Sequence, residues 1–466
     1  MLSLRRYKNI DFNLLLLSAL IILICGFVII SGDKIKYFLF TAAFAFSFYT
    51  VCFLIRHRVA AMFYFVALFI GMPSYEITNL GNIILSDFLF IGLVLSLLIS
   101  NTINKQDICS PIFISLSVFC GFSIFSGLAG IPFMQDYAGD TQYREVKTKY
   151  IAVLYIFRFV QLPVIYLFVI DSMKKNNAVK NIIISCILLQ MLIVSFQIFV
   201  FPDSSSSDSK LNTYANGTLD KHHMFIALYM MTAIPFFIEY IKEKKNVISK
   251  VFWAFVTFYA VYIIVVSAAR SVLLGLMVSF GIFILLNIHF NKKFVAIIAS
   301  SIILSFLVYR FTPIHEVFDK TFRNINPQNG LDPSSFSRFF IWLGTLNIFN
   351  NSSIFHKLFG NGPGSFAGLD LGIVIWKGSK FASGAHNNFL HVLVETGIIG
   401  LIIFITHFGI IISNLIKNKT LLSTVFTCIT IGLLASGIPQ ETFWMQRNYW
   451  MYYVTILGIV VANRKD

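Results

Sequence analysis

Residues His386–Ile416 read HNNFLHVLVETGIIGLIIFITHFGIIISNLI, and this stretch decides the fold. From Leu390 to Ile416 it carries one formal charge, Glu395, and it is long enough to cross about 30 Å of hydrocarbon as a helix. A histidine stands just ahead of the apolar run, and two glycines three apart, Gly397 and Gly400, lie near its entry. Comparable runs recur along all 466 residues, which are 57% apolar, 16% aromatic and only 12% charged, with a mean hydropathy of +0.79. An ordinary globular chain carries about a quarter charged residues. The chain reads as an all-α polytopic membrane protein.

Spans are expected at roughly 13–31, 35–55, 59–74, 83–99, 111–131, 151–171, 181–201, 223–241, 251–269, 271–290, 294–312, 390–416, 421–438 and 449–462, about fourteen helices. The first, Asn13–Ser31, is too long for a secretory signal and lacks a small-residue cleavage site, so it reads as a retained span. No sizeable soluble domain is expected before or after the runs. The chain divides into residues 1–312 with spans 1 to 11, a long external loop or lid over 313–389, and residues 390–466 with spans 12 to 14. An N-terminus on the cytoplasmic side puts Arg5, Arg6, Lys8, Arg56, Arg58, Lys105, Lys174, Lys175, Lys180, Lys242, Lys244, Lys245, Lys250, Lys292, Lys293, Lys417, Lys419, Arg464 and Lys465 all inside, as the positive-inside rule requires. Both termini then fall in the cytoplasm.

The net charge of +15 is therefore orientation and leaflet anchoring, not a nucleic-acid footprint. Cys25, Cys52, Cys120, Cys186 and Cys428 lie within spans and Cys109 in a cytoplasmic loop, so neither a disulfide framework nor a zinc spacing is present. Acidic residues are few and no Asp-x-Asp occurs, which argues against a divalent metal held by paired carboxylates. No Gly-rich phosphate loop with its lysine occurs either. Neither a metal nor an organic cofactor is expected.

Cations that break the inside pattern carry the chemistry. Arg144, Lys147 and Lys149 precede the sixth span, Arg158 lies about two turns inside it, Arg270 separates two apolar runs, and Arg323, Arg338 and Arg447 are external. A guanidinium offers a planar fork that keeps its charge and suits phosphate or pyrophosphate. The competing reading is snorkelling, or an ion pair with Glu145, Asp140 or Asp87. Lys147 and Lys149 read as headgroup anchors.

Within the external loop, Phe339, Trp342, Leu346 and Phe349 recur at helical spacing, so an amphipathic helix is expected over Ser335–Phe349, lying on the membrane surface with Arg338 near its start. Asn350, Asn351, Ser352 and Ser353 end it. The following GNGPGSFAG cannot be regular structure and serves either chain reversal or close backbone approach to a ligand.

On a continuous helix, His386, Leu390, Leu393 and Gly397 would share a face, and His391 would point about 140° away from His386. The two histidines are therefore not expected to be a ligand pair. His386 reads either as a general base toward a sugar hydroxyl or as a cap or packed polar group. Glu395 either orients a partner or pairs with an arginine.

His386 and Asn387, nine residues, Gly397, two residues and Gly400 resemble the H-N-x9-G-x-x-G pattern of the O-antigen polymerase and O-antigen ligase superfamily. Three more pieces follow the family's order. SAARSVLL at Ser267–Leu274 is similar to its Ser-x-x-Arg segment; Arg338 with Trp342, ahead of GNGPGSF at Gly360–Phe366, resembles its Arg-x-x-x-Trp and Gly-x-Gly-Pro-Gly-x-Phe pieces. NGTLDKHHMFIAL at Asn216–Leu228 resembles its Gly-Thr-Phe segment, departing from it over Asp220–His223, so His222 and His223 gain no role from it.

The resemblance covers about residues 210–405. It implies a GT-C-like helical bundle in the bacterial inner membrane and metal-independent, inverting glycosyl transfer at the periplasmic face from an undecaprenyl-pyrophosphate-linked glycan. His386 would be the base. Arg270 and Arg338, with Arg158, Arg144 and Arg447, would hold pyrophosphate, and Asn387, Glu395, Gly397, Gly400 and Trp342 would support the site. A repeat-unit polymerase is the expected activity, with an O-antigen ligase acting on lipid A core as the alternative and a lipid-linked glycan flippase as the reading from another class. A polymerase would work beside a chain-length regulator.

Overall fold

A computed structural model describes residues 35–70, 75–77, 81–83, 85–100, 103–134, 148–175, 178–199, 223–267, 269–287, 333–372, 380, 382, 384–443 and 447–463. Among the described residues, six helices are long and apolar enough to cross a membrane, and four shorter apolar helices accompany them. The chain is an all-α multi-pass membrane protein. The expected spans 13–31 and 294–312 lie outside the described residues.

The first described helix, α1 (Ile35–Ile70), breaks at Arg56 (φ −148°, ψ 71°), so two expected spans follow each other almost directly. A two-stranded hairpin then reverses the chain: β1 (Tyr75–Ile77) pairs antiparallel with β2 (Gly81–Ile83). No strand was expected, because three residues a side are too few to show a period of two. Next come α2 (Leu85–Ser100), a short α3 (Lys105–Ile108), α4 (Pro111–Gly130), α5 (Thr148–Lys175) and α6 (Ala178–Phe199). They are followed by α7 (His223–Glu243), α8 (Val247–Val266) and α9 (Arg270–Asn287).

Helix starts are written in the sequence. Ser110, ahead of Pro111, accepts the Phe113 N–H at 3.2 Å. Asn104, Asn246 and Thr420 do the same for their helices. These caps satisfy backbone donors that a helix leaves open at its N-terminus.

Residues 333–359 give α10 (Pro333–Asn351) and a short α11 (Ile354–Phe359), capped by Ser353. Helix α10 was expected; α11 was not. The packed face of α10 also differs from the expected stripe. Ile341 joins a small core with Phe366, Leu371, Ala385 and Val394, and Thr345 is buried beside it. Phe339 and Leu346 are exposed, while Trp342 and Phe349 are half-buried. An apolar side chain pointing away from a membrane protein can meet lipid, so polarity alone does not tell which face packs. The chain closes with α12 (Asn388–Lys417), α13 (Leu421–Ser436) and α14 (Arg447–Ala462).

Small residues let helices approach. A methyl on Gly275 of α9 would meet the Gly432 carbonyl of α13 at 2.6 Å and the Ser436 side chain at 3.0 Å, and Ser279 faces Gly432. Such small-residue crossings drive helix association where lipid is as apolar as leucine. The contacts run in opposite directions along α9 and α13, so Arg270 at the start of α9 lies toward the C-terminal end of α13.

The two ends of the bundle differ in charge chemistry. At one, Asp171 near the C-terminus of α5 pairs with Arg58 and Lys175, each at 2.9 Å. Lys174 meets Asp107 and Lys180 meets Glu239, each at 2.7 Å. These cations all belong to the set expected inside. At the opposite end, Gly364 rests on Ala152 of α5, about 28 Å from Asp171 along a straight helix.

Arg158 takes the ion-pair alternative to a pyrophosphate contact. Its Nη2 donates to Asp87 at 2.8 Å, Gln161 donates to the same carboxylate at 3.0 Å, and Tyr64 donates to Gln161 at 3.0 Å, all buried. The ion pair accounts for a charge inside the bundle without any ligand. Asp87→Asn should strand that guanidinium, costing about 3–5 kcal/mol and lowering the melting midpoint in detergent. An Asp87→Leu/Arg158→Leu double variant that melts no higher than Asp87→Asn would contradict this.

Candidate functional site

The start of α12 is built by three consecutive polar residues. His386 has a left-handed backbone (φ 49°) and precedes the helix. Asn387 caps it, its Oδ1 accepting the N–H groups of Phe389 at 2.9 Å and Leu390 at 3.0 Å. Asn388, fully buried, staples the connection between α13 and α14: its N–H donates to Gly437 at 2.8 Å, its Nδ2 to Thr442 at 2.8 Å, and its Oδ1 accepts from Thr442 N–H at 3.0 Å. That connection carries Glu441.

Glu441 is wholly buried, and both histidines converge on it. Its Oε1 accepts the His386 backbone N–H and lies 3.2 Å from His391 Nδ1, while Oε2 faces His386 Nδ1 at 3.4 Å. His391 Nε2 lies 3.3 Å from Glu395 Oε1. Glu395, His391, Glu441 and His386 thus form one continuous row. The expected 140° separation of the histidines fails for a local reason: His386 is not on the helix, and its left-handed backbone turns it back toward Glu441.

The glycine-rich turn docks on the same row. Gly360, Gly362 and Gly364 have φ of 80°, 92° and 91°. The Gly364 and Phe366 N–H groups donate to Glu395 Oε1 at 2.8 and 3.0 Å. Helix α12 breaks at Gly397 (φ 72°), which leaves the carbonyls of Val394 and Glu395 to accept from Asn361 N–H at 3.0 Å and Gly362 N–H at 2.8 Å. A side chain on Gly397 would overlap the Leu358 carbonyl, and one on Gly400 would collide with Thr396 and press on Phe122. Gly397 is required by close backbone packing and Gly400 by the Thr396 and Phe122 side chains, and Glu395 is the anchor of the turn.

His386 is 28% exposed, unlike the other members of the row. Burial lowers its pKa below the ordinary imidazole value; Glu441 and a hydrogen bond with Gln440 oppose the shift, while Arg338 and His391 add to it. Burial alone would raise the carboxyl pKa of Glu441, but the His391 hydrogen bond, the nearby histidine charges and the His386 N–H hold it below the usual range. A neutral imidazole over an ionised carboxylate is a proton acceptor.

Arg338 is brought close. It is half-buried, donates to the Pro439 carbonyl at 3.3 Å, and its charge is felt at His386. Trp342, one turn on, has its indole N–H buried without a hydrogen-bond partner. Arg270 is exposed at the start of α9, at the end of α13 that leads into the Glu441 connection. Arg158 belongs to the Asp87 pair. Arg144 and the side chain of Arg447 lie outside the described residues, as does His222. Among the described residues, no group of three or more His, Cys, Asp or Glu side chains is placed to hold a metal ion.

Sequence reasoning missed Glu441 and the use of His391. The one visible signal for Glu441 was a carboxylate in GIPQETFW between two apolar helices, in a chain with few acids. Gly397→Ala combines a strained backbone with a carbonyl overlap, about 1–3 kcal/mol for the backbone alone, and should sharply reduce folded protein in a detergent size-exclusion assay. Gly409→Ala, with open space around its Cα, should be neutral or stabilising in the same assay. Equal behaviour of the two would remove the packing explanation of the motif.

No curated protein matches the chain. A family model described as O-Antigen ligase matches residues 255–405, which include Arg270, Arg338, the glycine turn, His386 and Gly400, and end before Glu441. Its members are membrane enzymes of the glycosyltransferase kind. Over residues 255–405 the chain is therefore similar to the O-antigen ligase family.

Proposed function

We propose that the chain is a surface-polysaccharide polymerase that joins undecaprenyl-pyrophosphate-linked repeat units at the periplasmic face of the bacterial inner membrane. The observation that carries the reading is His386: a partly exposed imidazole, held neutral by burial, next to an arginine and over a buried carboxylate. His386 takes the proton from the acceptor hydroxyl, whose oxygen forms the new bond to the anomeric carbon. The glycosyl–phosphate bond breaks, and the electron pair leaves with the lipid pyrophosphate. Arg338 and Arg270 stabilise that developing charge without a metal. Alignment of two large substrates under the external segment supplies the entropic part of the rate.

Orientation rests on charge. The Asp171 cluster gathers cations at the end of the bundle opposite the site, and cytoplasmic loops are the ones enriched in Lys and Arg. In this reading both termini are inside and residues 313–389 are the external lid between spans 1–312 and 390–466. A ligase that moves the glycan to lipid A core is the second reading, favoured by the description of the matching family. The two share the site and differ in acceptor. A chain-length regulator is a partner of the polymerase only.

His386→Ala should cut turnover by about 10²–10⁴-fold while the protein still inserts. In cells carrying it, single-unit caps on lipopolysaccharide gels mark a polymerase, and bare core with intact lipid-linked polymer marks a ligase. A full glycan ladder would sink the assignment. Because the neutral imidazole is the active form and its pKa lies below the ordinary value, turnover should be flat from neutral pH to about pH 8 and fall on acidification below about pH 6.

A further inference from the structure

Two buried atoms in the row are unmet. Glu441 Oε2 and His386 Nδ1 each lack a hydrogen-bond partner, and they face each other at 3.4 Å. A buried polar atom without a partner calls for an explanation, and catalytic groups are one of the few. Everything else about Glu441 is fixed. Its Oε1 holds the His386 N–H and His391 Nδ1; His391 is held by Glu395; Glu395 is held by the Gly364 and Phe366 N–H groups. An imidazole between two carboxylates can donate to both only when both of its nitrogens carry protons, and His391 stands between Glu441 and Glu395. A purely structural pin would use both oxygens of Glu441 on backbone or cation. Here one is left aimed at the ring.

We infer that Glu441 is a positioning residue for the His386 base, its unused Oε2 reserved for the Nδ1–H of the imidazolium that forms when His386 accepts the substrate proton, with His391 and Glu395 keeping the carboxylate ionised and aimed. Nδ1 is buried, so the exposed part of the ring addresses the acceptor through the Nε2 side. The proton passes from the acceptor hydroxyl to that nitrogen, and the resulting positive charge is met by Glu441 across a gap that shortens into a hydrogen bond. Nothing is oxidised, and Glu441 itself takes up no proton. The glycine turn then has a second use: through Glu395 and His391 it sets the position of the carboxylate under the base. The charged and polar groups facing His386 are Glu441 and Gln440 from the α13–α14 connection, Arg338 from α10 and His391 from α12.

This inference rests on His386 being the base, and three variants separate the two claims. Purified protein in liposomes is assayed on the lipid-linked glycan extracted from a strain lacking the gene, with kcat and kcat/KM followed from about pH 4 to about pH 8. Glu441→Gln keeps the shape and the acceptor for the His386 N–H but loses the charge. It should lower kcat by about 10²–10⁴-fold and move the acid limb of the profile down by about 1 pH unit or more, because an ionised neighbour raises an imidazole pKa. Glu441→Asp should return the limb toward its original position. A Glu441→Gln enzyme within threefold of the parent, or one that is slow with an unmoved limb, overturns the inference while leaving His386 as base. Full turnover by His386→Ala overturns the base reading itself.

Discussion

A carboxylate with no exposed surface has to be met by charge or hydrogen bonds, and Glu441 is met by two histidines from the start of one helix. The left-handed turn at His386 exists to bring its N–H to that carboxylate. Asn388 holds the backbone on either side of it, and His391 passes its demand for a second acceptor to Glu395. Glu395 in turn receives the amides of the glycine turn, which can approach only because Gly397 breaks α12 and Gly360 has no side chain. The site is a chain of obligations that begins at one buried acid.

The rest of the bundle presents this chain at one end. Small residues on α9 and α13 bring Arg270 to the side from which the Glu441 connection emerges. Helix α10 covers the glycine turn and delivers Arg338 beside His386. The surplus cations lie at the far end of α5, paired with Asp171 and Asp107. The cations are thus divided between the two ends: a paired cluster around Asp171 and Asp107 at one, Arg338 and Arg270 toward His386 at the other. Arg158 shows how costly the middle is, since its charge there is matched by Asp87 and backed by Gln161.

Much of the fold was legible because crossing a membrane imposes length. Helices α4 to α9 and α12 to α14 begin and end within a few residues of the expected spans, and Ser110 and Pro111 marked a start outright. The hairpin β1–β2 and α11 were not legible, being too short for any periodicity. Half of the site could be read: His386, Asn387, Gly397 and Gly400 form a local pattern, and their spacing reflects one helix and its break. Glu441 could not, because its pairing with His386 spans 55 residues and depends on how α13 and α14 return to α12. The rotation that parted His386 from His391 holds only on a helix two residues longer than the one Asn387 caps. For Arg158, composition offered both a ligand contact and an Asp87 pair, and only packing chose between them.

Under the proposed function the lipid pyrophosphate binds beside Arg338 and His386, not at the cation cluster around Asp171. Cryo-electron microscopy of the protein with a non-hydrolysable phosphonate analogue of undecaprenyl-pyrophosphate glycan tests that directly. The expected result is phosphorus density within contact of Arg338 or Arg270, with the sugar at hydrogen-bond distance from the His386 ring. Density at Arg58 and Lys175, or a sugar remote from His386 with that edge still open to water, would contradict it.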